Sequence, residues 1–203
     1  MGWHAIFVET GKEDIVHTQI SKLLEHLGYT DYELLIPKRR LKEKHQGKFI
    51  EIVKKMFPGY ILIRADDPWN VFHKTRRFEH LYRFLNHDQQ MLEIRLEEIA
   101  NIIYMVDEEG VIGISDIYVK DDRIVVTKGP LMHYDGLVKK VDRRNHRVKV
   151  LFMFNGERHY IDISVNLIEK YRDVSGKEIP FFANYYFMDM SETEKDNINT
   201  YMT

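Results

Sequence analysis

Hydrophobic positions in the first hundred residues switch between two periods. Trp3 to Val8 is an apolar run of strand length, and Gly11 to Gly28 then sets Ile15, Ile20, Leu23, Leu24 and Leu27 at near-helical spacing. A strand followed by a helix is the prediction. Gly28 stands where a helix C-terminus favours positive φ, and Tyr32 to Ile36 reads as a second strand stopped by Pro37. Phe49 to Val53 and Tyr60 to Ile63 suggest a further strand pair, Leu81 to Leu85 an edge strand, and Leu92 to Met105 a closing helix. Together these predict an α/β sandwich on an antiparallel sheet, within an α+β chain.

The pattern changes after about residue 116. Ile124 to Thr127, Gly136 to Val141, Val148 to Phe152 and His159 to Ile163 are short strands at similar intervals, which implies a small all-β barrel. Lys128-Gly129-Pro130, Arg143-Arg144-Asn145-His146 and Asn155-Gly156-Glu157 supply its turns, and Asn-Gly is a strong hairpin dipeptide. No repeat links the two halves. Charge marks the joint: residues 1–106 hold 16 basic and 15 acidic side chains, whereas 107–116 hold Asp107, Glu108, Glu109 and Asp116 and no base. Residues 117–170 hold 11 basic against 7 acidic, and 171–203 hold 3 against 6. The expected organisation is a first body at 1–106, an acidic linker at 107–116, a barrel at 117–170 and a tail at 171–203.

Phe57-Pro58-Gly59-Tyr60 leads into the strand expected at Tyr60 to Ile63. Proline presets φ and glycine accepts a positive one, so this turn holds two aromatic rings at a strand entrance with little freedom. The rings either fill the core or face a partner.

At 203 residues and 44% hydrophobic the chain can bury a proper core. The absence of cysteine removes disulfides, thiolate metal sites and a cysteine nucleophile, and fits a reducing cytoplasm. No apolar run approaches the length of a membrane span, and Met1-Gly2-Trp3-His4 does not open a signal peptide. Of ten histidines, His73, His80 and His87 recur every seven positions, but the strand at Leu81 to Leu85 interrupts any shared helical face. No metal site, cofactor or enzyme activity is expected: no phosphate-cradling glycine loop or serine elbow is present.

A Trp-led first strand, Gly11-Lys12-Glu13 opening a helix, Phe57-Pro58-Gly59-Tyr60 and a later Gly129-Pro130 turn occur in that order, and from Trp3 to about Lys170 the chain resembles the NusG family. The resemblance implies an NGN domain that binds the clamp of RNA polymerase, followed by a KOW barrel that engages RNA, the termination factor Rho or ribosomal protein S10. It implies a polymerase-binding cup of Phe7, Phe57, Pro58, Gly59, Tyr60, Leu81 and Phe84. Departures point to a specialised paralogue of the LoaP or RfaH type. Where the family turn carries further glycines, this chain has Gly129-Pro130-Leu131-Met132-His133-Tyr134-Asp135-Gly136.

Basic side chains supply candidate nucleic-acid contacts in both bodies. In the barrel these are Lys120, Arg123, Lys128, Lys139, Lys140, Arg143, Arg144, His146, Arg147 and Lys149, with His133 and Tyr134 as stacking groups; alternation prevents all from converging. In the first body they are Lys38, Arg39, Arg40 and Lys42, in a hairpin before the Phe-Pro-Gly-Tyr turn, and Arg76 and Arg77. The alternative is a solvated charged surface. The expected function is a monomeric cytoplasmic elongation and antitermination factor that binds polymerase through the first body and an RNA hairpin or a protein through the barrel. A general NusG coupling polymerase to Rho or the ribosome, and an RNA-binding regulator independent of polymerase, are the alternatives. The tail combines Phe181-Phe182-Ala183-Asn184-Tyr185-Tyr186-Phe187 with an acidic end, and either docks or stays free.

Overall fold

The computed structural model describes residues 2–87, 90–120 and 123–168, so the aromatic and acidic tail lies outside the described residues. In chain order the first body contains β1 (Trp3–Val8), α1 (Glu13–His26), β2 (Tyr32–Leu35), β3 (Lys38–His45), β4 (Lys48–Lys55), β5 (Tyr60–Ala65), α2 (Pro68–Thr75) and β6 (Leu81–Phe84). Short strands β7 (Asn86–His87), β8 (Gln90–Met91) and β9 (Glu93–Ile94) lead to α3 (Leu96–Met105) and β10 (Val111–Ile112). The barrel strands are β11 (Ser115–Lys120), β12 (Arg123–Lys128), β13 (Val138–Asp142), β14 (Arg147–Phe154) and β15 (Glu157–Ile168), with a 3₁₀ turn at Asp135–Leu137.

The main sheet runs β2-β5-β1-β6, with β9 also paired to β1. Its pairings are antiparallel, although other elements separate each pair of partners along the chain. Alternation along β1 and β5 sends Ile6, Val8, Ile61 and Ile63 to one face, where Val16, Ile20 and Leu24 of α1 and Val71 of α2 close a core. Ala5 and Leu62 point the other way, into a second core. That core continues without a break through Ile99, Ile102 and Met105 of α3 to Val150, Phe152, Phe154 and Ile161 of the barrel. The two bodies therefore pack on each other. In the barrel the order is β12-β11-β15-β14-β13; β11 and β15 are parallel, and Asn155 and Gly156, at φ of 54° and 76°, make the tight turn between β14 and β15.

Several expectations change. Phe49–Val53 does not pair with Tyr60–Ile63: β4 pairs along its whole length with β3 across the two-residue loop Gln46-Gly47, at φ of 48° and 85°. The shorter loop supplies the nearer partner. The closing helix begins at Leu96, because Glu93 and Ile94 pair with His4 and Trp3. Helix α2 is an addition to the expected elements, although Asp67 caps it by accepting from the Asn70 N–H at 2.9 Å and Pro68 stands in its first turn. The acidic stretch is folded: Asp107 accepts from the N–H groups of Glu109 and Val111, and β10 adds to β3 in parallel with Val111 and Ile112 buried.

Candidate functional site

The Phe57-Pro58-Gly59-Tyr60 turn is fixed from beneath by a buried carboxylate. Glu13, with no exposed surface, accepts from the Gly59 N–H at 2.7 Å, the Gly11 N–H at 2.8 Å and Lys55 Nζ at 2.7 Å. Burial pushes the Glu13 carboxyl up, but the bonds from Lys55 and the Gly59 N–H outweigh it and hold the group below its ordinary value. Lys55 also bonds Asp14 at 2.6 Å, and that bond lowers Asp14 in turn. Gly59 has φ of +87°, and a Cβ there would stand 3.2 Å from Thr10 Oγ1 and 3.4 Å from the Phe7 ring. Glycine is needed for conformation as well as for space.

Around this turn the sheet presents an aromatic surface. Phe7 and Tyr60 are cross-strand partners with ring centroids 5.5 Å apart, and Tyr82 lies 5.3 Å from Phe7 on the other side. Arg83 lies 6.0 Å from the Phe7 ring, and Tyr82 is 58% exposed. Leu81 and Phe84 do not join this surface. Both are buried in the core beneath α1 and α2, where Phe84 meets Phe72 edge-on. A register shift between Phe7 and Val8 in the pairing with β6 separates the two sets. Tyr82 is the residue that sequence reading missed; the irregularity in the β1–β6 pairing leaves it exposed while Phe84, two positions on, is buried, against the two-residue period of a strand.

The barrel covers part of the surface. Phe154 stacks on Phe57 at 4.3 Å and meets Tyr60 edge-on at 5.3 Å, while His159 stands against Phe57 at 5.3 Å. Phe57 retains only 3% exposure, so in this arrangement it is core. Tyr60 is half-buried and Pro58 exposed. Beside the rings, the Gly156 N–H donates to Glu98 Oε1 at 3.2 Å; Glu98 is buried and bridged by Arg95.

Farther along, the junction becomes polar. The Lys42 N–H donates to Ser164 Oγ at 2.7 Å, its carbonyl accepts from Arg147 Nη2 at 2.9 Å, and its Nζ reaches Asn166. Arg147 also lies 3.7 Å from Glu43, which Lys54 holds at 2.6 Å. Lys38 pairs with Asp14 at 3.9 Å and Arg40 with Glu51 at 3.5 Å. The Arg39 side chain has no hydrogen bond or ion pair within reach among the described residues.

The remaining basic candidates divide between regions. Arg143 and Arg144 are exposed in the turn joining β13 and β14, where His146 meets Phe49 edge-on at 5.2 Å, while Lys139 and Lys140 are exposed on β13 itself and Lys139 Nζ donates to the Gly136 carbonyl at 2.7 Å. Lys149 pairs with Asp162 at 3.2 Å. Lys128 and His133 are exposed, whereas Tyr134 is partly buried against the barrel core. Arg76 and Arg77 are exposed after α2, on the helix-covered side of the main sheet and away from the aromatic surface. The Lys120 and Arg123 side chains lie outside the described part. Gly129 adopts φ of +97°, and a Cβ there would meet Ile114 O and Ser115 Cα at 2.8 Å, so barrel closure requires this glycine. Among the described residues no cluster of three metal-ligating side chains occurs, and no helix is long and apolar enough to cross a membrane.

Comparison with known proteins gives a consistent result. Transcription termination/antitermination proteins NusG of Rickettsia typhi and Synechocystis sp. are 25% and 27% identical over 171 and 185 residues, covering 83% of this chain and 89% and 88% of theirs. A solved structure described as "Domain interaction in Thermotoga maritima NusG" is 18% identical, covers 80% of this chain and 93% of its own, and superposes with a TM-score of 0.44. The family model described as "Transcription termination factor nusG" matches residues 1–103, half of the sequence, and the chain belongs to the NusG family.

Proposed function

We propose that this NusG-family protein is a transcription elongation and antitermination factor that binds RNA polymerase through the aromatic surface of Phe7, Phe57, Tyr60 and Tyr82. The observation that carries this reading is a row of rings, Phe7, Tyr60 and the exposed Tyr82, beside a turn immobilised by a buried carboxylate. Aromatic anchors on a rigid support lose little entropy on binding and dominate interface energies. In the closed arrangement Phe154 occupies part of that surface, so polymerase binding requires the barrel to leave its seat. A ligand that binds only the open form draws the population toward it by its differential affinity.

The barrel is then free to meet a second partner. Arg143 and Arg144 in one exposed turn, with Lys139 and Lys140 exposed on the strand that leads into it, support contact with the phosphates of a nascent RNA hairpin. A factor held on polymerase in this way favours the elongating state over the paused one, and no chemical step is involved. The test is polymerase capture by the full chain carrying Tyr60→Ala and Tyr82→Ala. The reading expects loss of binding by about tenfold or more with the melting transition retained; undiminished capture would overturn it.

A further inference from the structure

A cavity of about 280 Å³ opens at the seam between the first body and the barrel. Leu85, Leu92 and Ile94 line it from the first body, and the Asn155-Gly156 turn lines it from the barrel. Glu98 stands in its wall with 3% of its surface exposed. Three hydrogen bonds reach this carboxylate, from Arg95 Nε at 3.1 Å, from Arg95 Nη2 and from the Gly156 N–H at 3.2 Å, and all three end on Oε1. Oε2 has no hydrogen-bond partner among the described residues, yet it is not one of the unpaired atoms sealed inside the protein. The buried side chain thus keeps one accepting oxygen open to the cavity. A carboxylate oxygen in such a place is costly without a donor, and a donor that enters relieves the cost. Charge selects the kind of donor. Glu93 and Glu98 line the cavity against Arg95 alone, Arg95 also faces Glu97 at 3.9 Å, and Glu93 has no ion pair among the described residues. The Arg95 side chain is 58% exposed, so water and salt screen much of its charge. The balance left at the cavity is negative.

We infer that this cavity binds a small primary amine, whose ammonium group donates to Glu98 Oε2 while its hydrocarbon body packs on Leu85, Leu92 and Ile94. Hydrogen bonds from a cation to a carboxylate are about twice as strong as those between neutral groups. A mostly apolar wall with one placed polar group is the ordinary make-up of a small-molecule site, the apolar part giving affinity and the polar group orientation. The Asn155-Gly156 turn departs with the barrel, so the site is complete only in the closed arrangement. A bound amine therefore stabilises that arrangement, and by linkage the closed arrangement strengthens amine binding. The site rests on the closed seam and not on polymerase binding; if the polymerase reading also holds, the amine opposes polymerase.

The test needs no polymerase, so its failure and the failure of the polymerase reading are separable. The full chain, with labelled leucine and isoleucine methyl groups, is titrated with isopentylammonium chloride, and separately with sodium chloride at equal ionic strength and with isopentyl alcohol. The chain has no cysteine, so dyes placed by Glu25→Cys on α1 and Met132→Cys on the barrel, both exposed positions, report the closed form by energy transfer. Isopentylammonium should move the methyl signals of Leu85, Leu92 and Ile94 in a saturable way and bring energy transfer to the closed value. The alcohol should bind about tenfold more weakly, and Glu98→Gln, which removes the charge and keeps an oxygen acceptor, should weaken the amine by a similar factor. Because Glu98→Gln also touches the Gly156 bond, Leu92→Phe serves as a second variant that narrows the cavity, leaves the carboxylate in place and should weaken binding as strongly. Methyl signals that move no more than in sodium chloride, equal binding of the alcohol, or an unchanged response in Leu92→Phe would defeat the inference.

Discussion

Replacing Phe154 by alanine should increase the affinity of the full chain for RNA polymerase. Phe154 has 1% exposure and makes one stacked and one edge-on ring pair with the first body, through Phe57 and Tyr60. Truncating a buried phenylalanine costs about 3–5 kcal/mol in total. Only the part acting across the seam shifts the equilibrium between closed and open forms; at about 0.5–1.5 kcal/mol per aromatic pair, the two pairs contribute roughly 1–3 kcal/mol. That corresponds to about a 5- to 150-fold change in the closed-to-open ratio. Where the closed form predominates, apparent polymerase affinity rises by nearly the same factor, because affinity is reduced by the fraction of competent molecules. Phe57 is unsuitable for this experiment, since it is both the seat for Phe154 and part of the proposed docking surface. The assay is equilibrium binding of labelled full chain to core polymerase, with near-ultraviolet circular dichroism to verify that the barrel persists. Unchanged or weaker binding by a folded Phe154→Ala protein would refute the reasoning.

Other consequences are equally direct. Glu13→Gln should destabilise the fold by about 2–4 kcal/mol, because the Gly59 N–H and Lys55 would no longer meet a charged acceptor, measured by denaturant unfolding at neutral pH. Since the folded-state carboxyl of Glu13 lies below its unfolded value, its contribution is fully present above the ordinary carboxylate range. It disappears as pH falls through the depressed folded-state value, and the acid limb of the stability profile should flatten in Glu13→Gln. Gly59→Ala should cost about 1 kcal/mol or more from the positive φ alone, with added strain against Phe7, read as a lower melting temperature. Combining Arg143→Ala with Arg144→Ala should reduce the salt dependence of RNA binding by about 0.7 in log–log slope for each phosphate that is no longer neutralised; an unchanged slope would show that this turn does not touch RNA.

The parts of this structure visible in the sequence are those set by local chemistry. Trp3 to Val8 forms a strand with the expected ends, helix α1 lies within Gly11 to Gly28, and Asn155-Gly156 makes the expected turn. Phe57-Pro58-Gly59-Tyr60 is legible for the same reason, since proline and glycine dictate its backbone. What stays hidden depends on register and on complementary surfaces. The shift beside Phe7 sends Leu81 and Phe84 beneath the helices and leaves Tyr82 on the aromatic surface, and no composition rule reports such a shift. Helix α2 is within reach, because Asp67-Pro68 is a start signal. The pairing of Phe154 with Phe57 is not: nothing local to either residue points to the other, and only the assembled fold shows that they share a core.

The central claim is that one aromatic surface receives either the barrel or polymerase, never both. Energy transfer between dyes at Glu25→Cys and Met132→Cys, recorded as polymerase is added to the full chain, tests it most directly. Mutual exclusion predicts that transfer changes in step with polymerase occupancy and that Phe154→Ala starts near the polymerase-bound value. Saturating polymerase binding with the seam still closed would contradict it.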